Sequence, residues 1–202
     1  MLAKGSLPWV FTAAFFTVAS GLLIYFTGIP YLKYLTYMGF ALTVFFLYFF
    51  RDPERHTEMD NKCMIAPADG KVIDIRQRCV CIFMNFQNVH VNRSPISGTV
   101  RNITYKKGGY IPAYNKDSVR NERNHIFLDS EYGEVCVTQI AGAVTRRIVS
   151  YVMEGDTTLQ GQKIGMIRFG SRVDVTIPEC FEIVCKKGDR VRCGETVVAR
   201  LK

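Results

Sequence analysis

Residues 5–32, GSLPWVFTAAFFTVASGLLIYFTGIPYL, carry no charged side chain, and neither do residues 34–50, YLTYMGFALTVFFLYFF; Lys33 alone separates them. A helix needs about 20 mostly apolar residues to cross a bilayer. Leu7 to Ile29 is long enough and Tyr31 to Phe50 just long enough, with a turn at Gly28-Ile29-Pro30. The reading is a transmembrane helical hairpin over residues 1–50, with Trp9, Tyr25, Tyr31, Tyr34 and Tyr48 near the ends, where amphipathic rings prefer to lie. Lys4 and Val18-Ala19-Ser20 also resemble a cleavable secretory signal. The second apolar segment argues against that. Lys4, Arg51 and Arg55 at the outer ends, against Lys33 in the connection, place both ends and the following domain on the cytoplasmic side of the cell membrane.

From Arg51 the composition changes. Residues 51–202 break into short β-rich runs punctuated by glycine, proline and asparagine. Strands are expected at Lys71–Arg76, Cys79–Met84, Gly98–Tyr105, His125–Leu128, Glu134–Ile140, Arg147–Val152, Ile164–Phe169, Val173–Ile177, Glu182–Val184 and Thr196–Ala199, with at most a short helix or turn at Val144–Ile148. Such spacing fits a mainly-β domain, an antiparallel sandwich or barrel rather than a βαβ fold. The segment Lys187 to Val198, with its glycine turns and alternating valines, and Ala66 to Val72 have the look of two halves of a lipoyl-like sandwich, a barrel-sandwich hybrid. The carrier lysine hairpin of such domains is not there.

The seven cysteines, at 63, 79, 81, 136, 180, 185 and 193, form no CxxC pair and no metal-ligand spacing. They read as reduced core residues, and no metal is expected. The chain has a net charge of +8, which suits anionic lipid headgroups. Nucleic acid is set aside because aromatic interleaving and recognition-helix patterns are missing.

Chemistry is expected at Phe169-Gly170-Ser171-Arg172. A serine hydroxyl can attack the carbonyl before it when the backbone is strained, and glycine removes the side chain that would resist. The peptide becomes an ester, and elimination followed by hydrolysis leaves a pyruvoyl group at the new N-terminus.

The chain resembles short, membrane-anchored, pyruvoyl-dependent phosphatidylserine decarboxylases. The matching pieces are the hairpin ending in Phe49-Phe50-Arg51-Asp52-Pro53-Glu54-Arg55, then Pro67-Ala68-Asp69-Gly70, Asn88-Val89-His90-Val91-Asn92-Arg93, Arg120-Asn121-Glu122-Arg123 and Phe169-Gly170-Ser171. The resemblance implies self-cleavage between Gly170 and Ser171 into residues 1–170 and 171–202, held as a heterodimer whose further oligomerisation is open. Ser171 becomes the covalent pyruvoyl cofactor, His90 is the base that takes its proton, and Asp69 orients the imidazole. The substrate is the serine headgroup of a phospholipid, which loses carbon dioxide through a Schiff base with the pyruvoyl carbonyl and leaves the ethanolamine lipid. Arg172, with Arg51 and Arg55, is a candidate for the phosphodiester. Glu122 is assigned ion pairing near the cut, His125 a structural role, and His56 a position at the lipid interface. Longer bacterial relatives have threonine where this chain has Arg172, and a second histidine that falls on Arg93, which leaves the ester or ether nature of the lipid open. The competing reading is a membrane-tethered, non-enzymatic adaptor built on the same sandwich; a pyruvoyl decarboxylase of a soluble amino acid fits the hairpin poorly.

Overall fold

The structure, a computed structural model, describes residues 1–109, 121–142, 148–168 and 171–202. Arg120, Phe169, Gly170 and all but the last residue of the turn expected at Val144–Ile148 lie outside these. The chain divides into two units, Met1–Pro53 and Glu54–Lys202.

The first unit is helix α1 (Leu7–Thr27), a short 3-10 turn (Pro30–Leu32) and helix α2 (Lys33–Phe49). Gly28, at φ 67°, ends α1 in the left-handed conformation that glycine adopts at low cost, and its N–H returns to the Ile24 carbonyl. Small and hydroxylated residues let the helices approach: a Cβ on Gly39 would lie 2.6 Å from Thr17 Oγ1, and Thr36 Oγ1 donates to Ser20 Oγ at 3.0 Å. Large apolar side chains such as Phe11, Phe15, Phe26 and Phe40 point outward. Both helices are long and apolar enough to cross a membrane, which makes them compatible with anchoring there.

The second unit is built from strands alone among the described residues. In chain order they are β1 (Cys63–Ile65), β2 (Gly70–Arg76), β3 (Cys79–Met84), β4 (Val91–Arg93), β5 (Gly98–Lys106), β6 (Arg123–Ser130), β7 (Gly133–Ile140), β8 (Ile148–Ser150), β9 (Thr157–Thr158), β10 (Lys163–Ile167), β11 (Ser171–Thr176), β12 (Phe181–Ile183), β13 (Arg190–Val191) and β14 (Val197–Leu201). A curled eight-stranded sheet runs β13-β2-β3-β11-β7-β6-β5-β9, and two three-stranded sheets run β1-β14-β12 and β4-β10-β8. Every strand pairing is antiparallel.

The alternation of β-branched residues explains the layering. Val173 and Val175 of β11, Val80 and Ile82 of β3, and Val135 and Val137 of β7 all reach complete burial on one face. Ile164 and Ile167 of β10 close the same core from the β4-β10-β8 sheet. Each such side chain contributes about 1.5–3 kcal/mol by leaving water. The two sandwich-like segments also meet. Val72 N–H donates to the Asp189 carbonyl, Gly188 N–H to the Val72 carbonyl, Ala66 N–H to the Thr196 carbonyl and Gly194 N–H to the Ala66 carbonyl, each at 2.8 to 2.9 Å. Gly70 has no substitute at the start of β2: its φ is +151°, and a Cβ there would sit 2.1 Å from the Phe83 carbonyl oxygen. Gly70→Ala is expected to destabilise the domain by at least ~2 kcal/mol, seen as a lowered denaturation midpoint of the detergent-solubilised chain.

Candidate active site

Ser171 is the first residue of β11, directly opposite Met84 of β3. Its side chain is completely buried and its Oγ has no hydrogen-bond partner among the described residues. A hydroxyl hidden from water with no partner costs about 1–3 kcal/mol, so its presence calls for an explanation. The register supplies the surroundings. In an antiparallel sheet residues that face each other share a side, so Ser171 and Val173 look into the core while Arg172 and Asp174 look out.

His90 reaches this region from the other sheet. It immediately precedes β4, its carbonyl accepts from Ile167 N–H of β10 at 3.2 Å, and the side chain is buried. The ring Nδ1 lies 2.9 Å from the Asn88 carbonyl. A carbonyl can only accept, so Nδ1 carries the proton in the neutral ring and Nε2 is the basic nitrogen. The orienting partner is therefore a backbone carbonyl, where sequence reasoning expected Asp69. Asp69 acts one residue away: Oδ2 accepts from Val89 N–H at 3.3 Å and Oδ1 from Cys193 N–H at 2.8 Å, while Arg55 Nη2 donates to both oxygens at 3.2 and 3.1 Å. It fixes the backbone that carries His90 and ties it to the β13–β14 segment. Burial works against the Arg55 charge, but Asp69 and Glu195 outweigh it and raise its pKa.

Between the two sheets lies a layer of buried amides that the sequence did not reveal. Gln139 Nε2 donates to Asn92 Oδ1 at 2.8 Å, Asn124 Nδ2 donates to Gln139 Oε1 at 3.1 Å, and Asn92 Nδ2 donates to Met84 Sδ at 3.7 Å. Gly165 makes room for it, since a Cβ there would lie 2.8 Å from Gln139 Nε2. Read singly, Asn92, Asn124 and Gln139 look like surface residues; only the register shows that Val173, Gln139 and Asn124 form one row. Glu122, expected to pair with arginines, is also buried, and its Oε1 has no partner among the described residues.

Three arginines expected at a phosphate are engaged elsewhere. Arg172 is buried on the outer face of the sheet, with Nε and Nη2 each donating to Asp174 at 2.7 Å. Arg55 bridges Asp69 and Glu195, and Arg51 stacks over the Tyr48 ring at 4.0 Å. The open basic residues lie nearby instead. A cavity of about 320 Å³ is lined by Lys71, Asn85, Gln87, Asn88 and Arg190, with both basic side chains exposed. Asn88 is the residue whose carbonyl holds His90. A larger cavity, about 410 Å³, is lined by His56, Glu58, Asp60, Glu195 and Arg200, and its three carboxylates oppose a phosphate there. His125 donates or accepts at Thr138 Oγ1 over 2.9 Å, and burial, with Arg123 and Lys106, lowers its pKa. Arg93, where longer relatives carry histidine, donates from Nη1 to the Gly161 carbonyl at 2.9 Å.

On the outer face, Cys79 Sγ, Cys81 Sγ and an Asp174 oxygen lie within 4.8 Å of one another, a set that could hold a metal ion and that the cysteine spacing did not signal. Arg172 already neutralises Asp174. The hydrogen bond from the Cys81 thiol lowers the Cys79 pKa and, with burial, raises that of Cys81.

The comparisons with known proteins decide the family. A family model for phosphatidylserine decarboxylase matches residues 42–199. The chain belongs to the phosphatidylserine decarboxylase family. It is 59% identical over 203 residues to a putative archaetidylserine decarboxylase proenzyme of Methanosarcina acetivorans, covering 100% of this chain and 98% of that one. It is 58% identical over 202 residues to the protein of the same description in Methanococcoides burtonii, covering 100% and 97%. It is 42% identical over 205 residues to the phosphatidylserine decarboxylase proenzyme of Streptomyces coelicolor, covering 98% and 92%. The word proenzyme in the names of these relatives implies processing of the chain.

The thiol pair yields a prediction independent of catalysis. Because its pKa is lowered, Cys79 holds more thiolate near neutral pH and is half-exposed. Limited alkylation of the native chain at pH 7.5, read by peptide mass, should modify Cys79 before Cys81 and Cys193; equal labelling of the three would contradict this order of thiol acidity.

Proposed function

We propose that this protein is a self-processing lipid decarboxylase that converts a serine phospholipid to its ethanolamine counterpart, with Ser171 as the precursor of its own ketoacyl cofactor. One observation carries the reading: in a chain whose relatives are named proenzymes, Ser171 heads the central strand β11 with a fully buried hydroxyl that has no partner among the described residues.

The chain's own residues account for the first step. His90 Nε2 accepts the hydroxyl proton as Oγ attacks the Gly170 carbonyl carbon; the C–N bond breaks and the Ser171 nitrogen regains a proton, leaving an ester. Nδ1–H held on Asn88 keeps the reactive nitrogen basic throughout. Asp69 is a positioning residue that holds Val89. A terminal ketoacyl group at position 171 suits the site, since Ser171 is completely buried with no partner for its hydroxyl among the described residues; once formed, the group would supply the electron sink that an amino acid needs to lose carbon dioxide. After the cut, residues 171–202 remain in place because β11 is paired on both sides, to β3 and β7.

The phosphodiester sits in the cavity carrying Lys71 and Arg190, rather than at Arg172. The two apolar helices hold the enzyme in the cell membrane, with the catalytic domain on the cytoplasmic side. The high identity to archaetidylserine decarboxylase proenzymes favours an ether-linked substrate.

Carbon dioxide release from ester- and ether-linked serine lipids in mixed micelles tests this. The parent chain should release it, with the ether lipid preferred; Ser171→Ala should release none, and His90→Ala should slow maturation about 10²–10⁴-fold. Activity that survives Ser171→Ala would refute the reading. Lys71→Ala with Arg190→Ala should raise KM and leave the extent of self-cleavage unchanged.

A further inference from the structure

Self-processing calls on a proton acceptor twice, first at Oγ and then at Cα, and the structure offers a second candidate on the side of Ser171 away from β3. The β11–β7 register pairs Arg172 with Ile140, and the β7–β6 register pairs Arg123 with Ile140. Continued one step beyond its last pair, the β11–β7 register sets Ser171 opposite Ala141, whose N–H donates to the Glu122 carbonyl at 2.9 Å. Met84, Ser171, Ala141 and Glu122 therefore form one row across four neighbouring chain segments. Residues opposite one another share a face, so the Ser171 and Glu122 side chains look the same way, about two strand spacings or ~9.5 Å apart at their Cα atoms.

The residue between them is alanine, buried, with no polar side chain of its own. Asn121 Nδ2 holds the Ala141 carbonyl at 2.9 Å and so fixes this end of the row. Two polar atoms of the row are left without hydrogen-bond partners among the described residues, Ser171 Oγ and Glu122 Oε1. Both residues are more than nine-tenths buried. A carboxyl group kept dry with an unmet oxygen is costly, and protein interiors retain such groups where they act.

Resting on the self-cleavage reading above, we propose that Glu122 is the proton acceptor of the elimination step. Once Gly170 is esterified to Oγ, the Ser171 Cα–H bond breaks and its electron pair becomes the Cα–Cβ double bond. The Cβ–Oγ bond breaks in turn, the Gly170 carboxylate departs with that pair, and the Cα proton passes to the Glu122 carboxylate. Tautomerisation and attack by water then release ammonia and leave the ketoacyl end. The geometry separates the two bases. Side chains stand roughly perpendicular to a sheet, so Oγ is presented to the overlying β4-β10-β8 sheet that carries His90. Cα–H bonds lie close to the sheet plane and point toward neighbouring strands, the direction from which a group on the Glu122 row approaches.

The test uses the full-length chain in detergent and reads the ester directly. Hydroxylamine at neutral pH cleaves an ester and spares an amide. Glu122→Gln, which keeps the size and loses the base, should form ketoacyl ends about 10²–10⁴-fold more slowly than the parent, yet release residues 171–202 with a serine N-terminus when hydroxylamine is added. Glu122→Asp, with the carboxylate on a shorter arm, should recover ketoacyl ends that the Gln variant lacks. His90→Gln should remain one chain with or without hydroxylamine. A Glu122→Gln chain that matures within about threefold of the parent overturns the assignment. So does one that is uncut and resistant to hydroxylamine while folded, and so does an equal loss in the Asp and Gln variants. If the parent chain itself never cuts, the self-cleavage reading fails as well, which separates the two.

Discussion

The structure depends on β11 being paired on both edges. Its register with β3 sets Ser171 opposite Met84, and its register with β7 sets Val173 opposite Gln139. From those two facts follow the burial of the serine, the outward direction of Arg172 and the valines that anchor the strand. A slip by one residue would exchange the two faces, sending Ser171 to the outer side and Arg172 into the core. Under the self-cleavage reading, the same double pairing would hold residues 171–202 in place after the cut.

The interior changes character along the strand. Around Val175, Val137, Val80 and Ile126 the core is wholly apolar; one row on, Gln139 and Asn124 bring amides that bond to each other and to Asn92. The next row holds Ser171 and Glu122. Buried amides with satisfied partners fix the spacing of the two sheets without adding charge, and a half-satisfied network would be costly. On this face of the sheet polarity gathers at the end that carries Ser171, and hydrophobic burial supplies the stability along the rest of β11.

The helical hairpin was legible because charge-free stretches of that length have few other uses, and most strands were legible because valine and isoleucine alternate in them. Four short strands escaped. β4, Val91-Asn92-Arg93, carries polar residues that the fold buries completely or nearly so, and β1, β9 and β13 are too short to show a period. Motifs singled out His90, Asp69 and Ser171 as candidates, but not the connections each makes. The Asn88 carbonyl that holds His90 is backbone, which no sequence pattern marks. Arg172 was misjudged as a phosphate ligand although a signal existed: Asp174 stands two residues on, the spacing that places both on one face of a strand. The place of Glu122 in the row of Ser171 comes only from the strand register, which joins parts of the chain far apart in sequence.

The most direct measurement is the intact mass of the purified, active protein. Conversion of the hydroxyl at position 171 into a ketoacyl end requires two polypeptides, residues 1–170 and 171–202, the smaller lighter than a serine-ended peptide by one ammonia and reactive toward carbonyl reagents. An active preparation consisting of a single unbroken chain, or of a small fragment that begins with serine, would contradict the account.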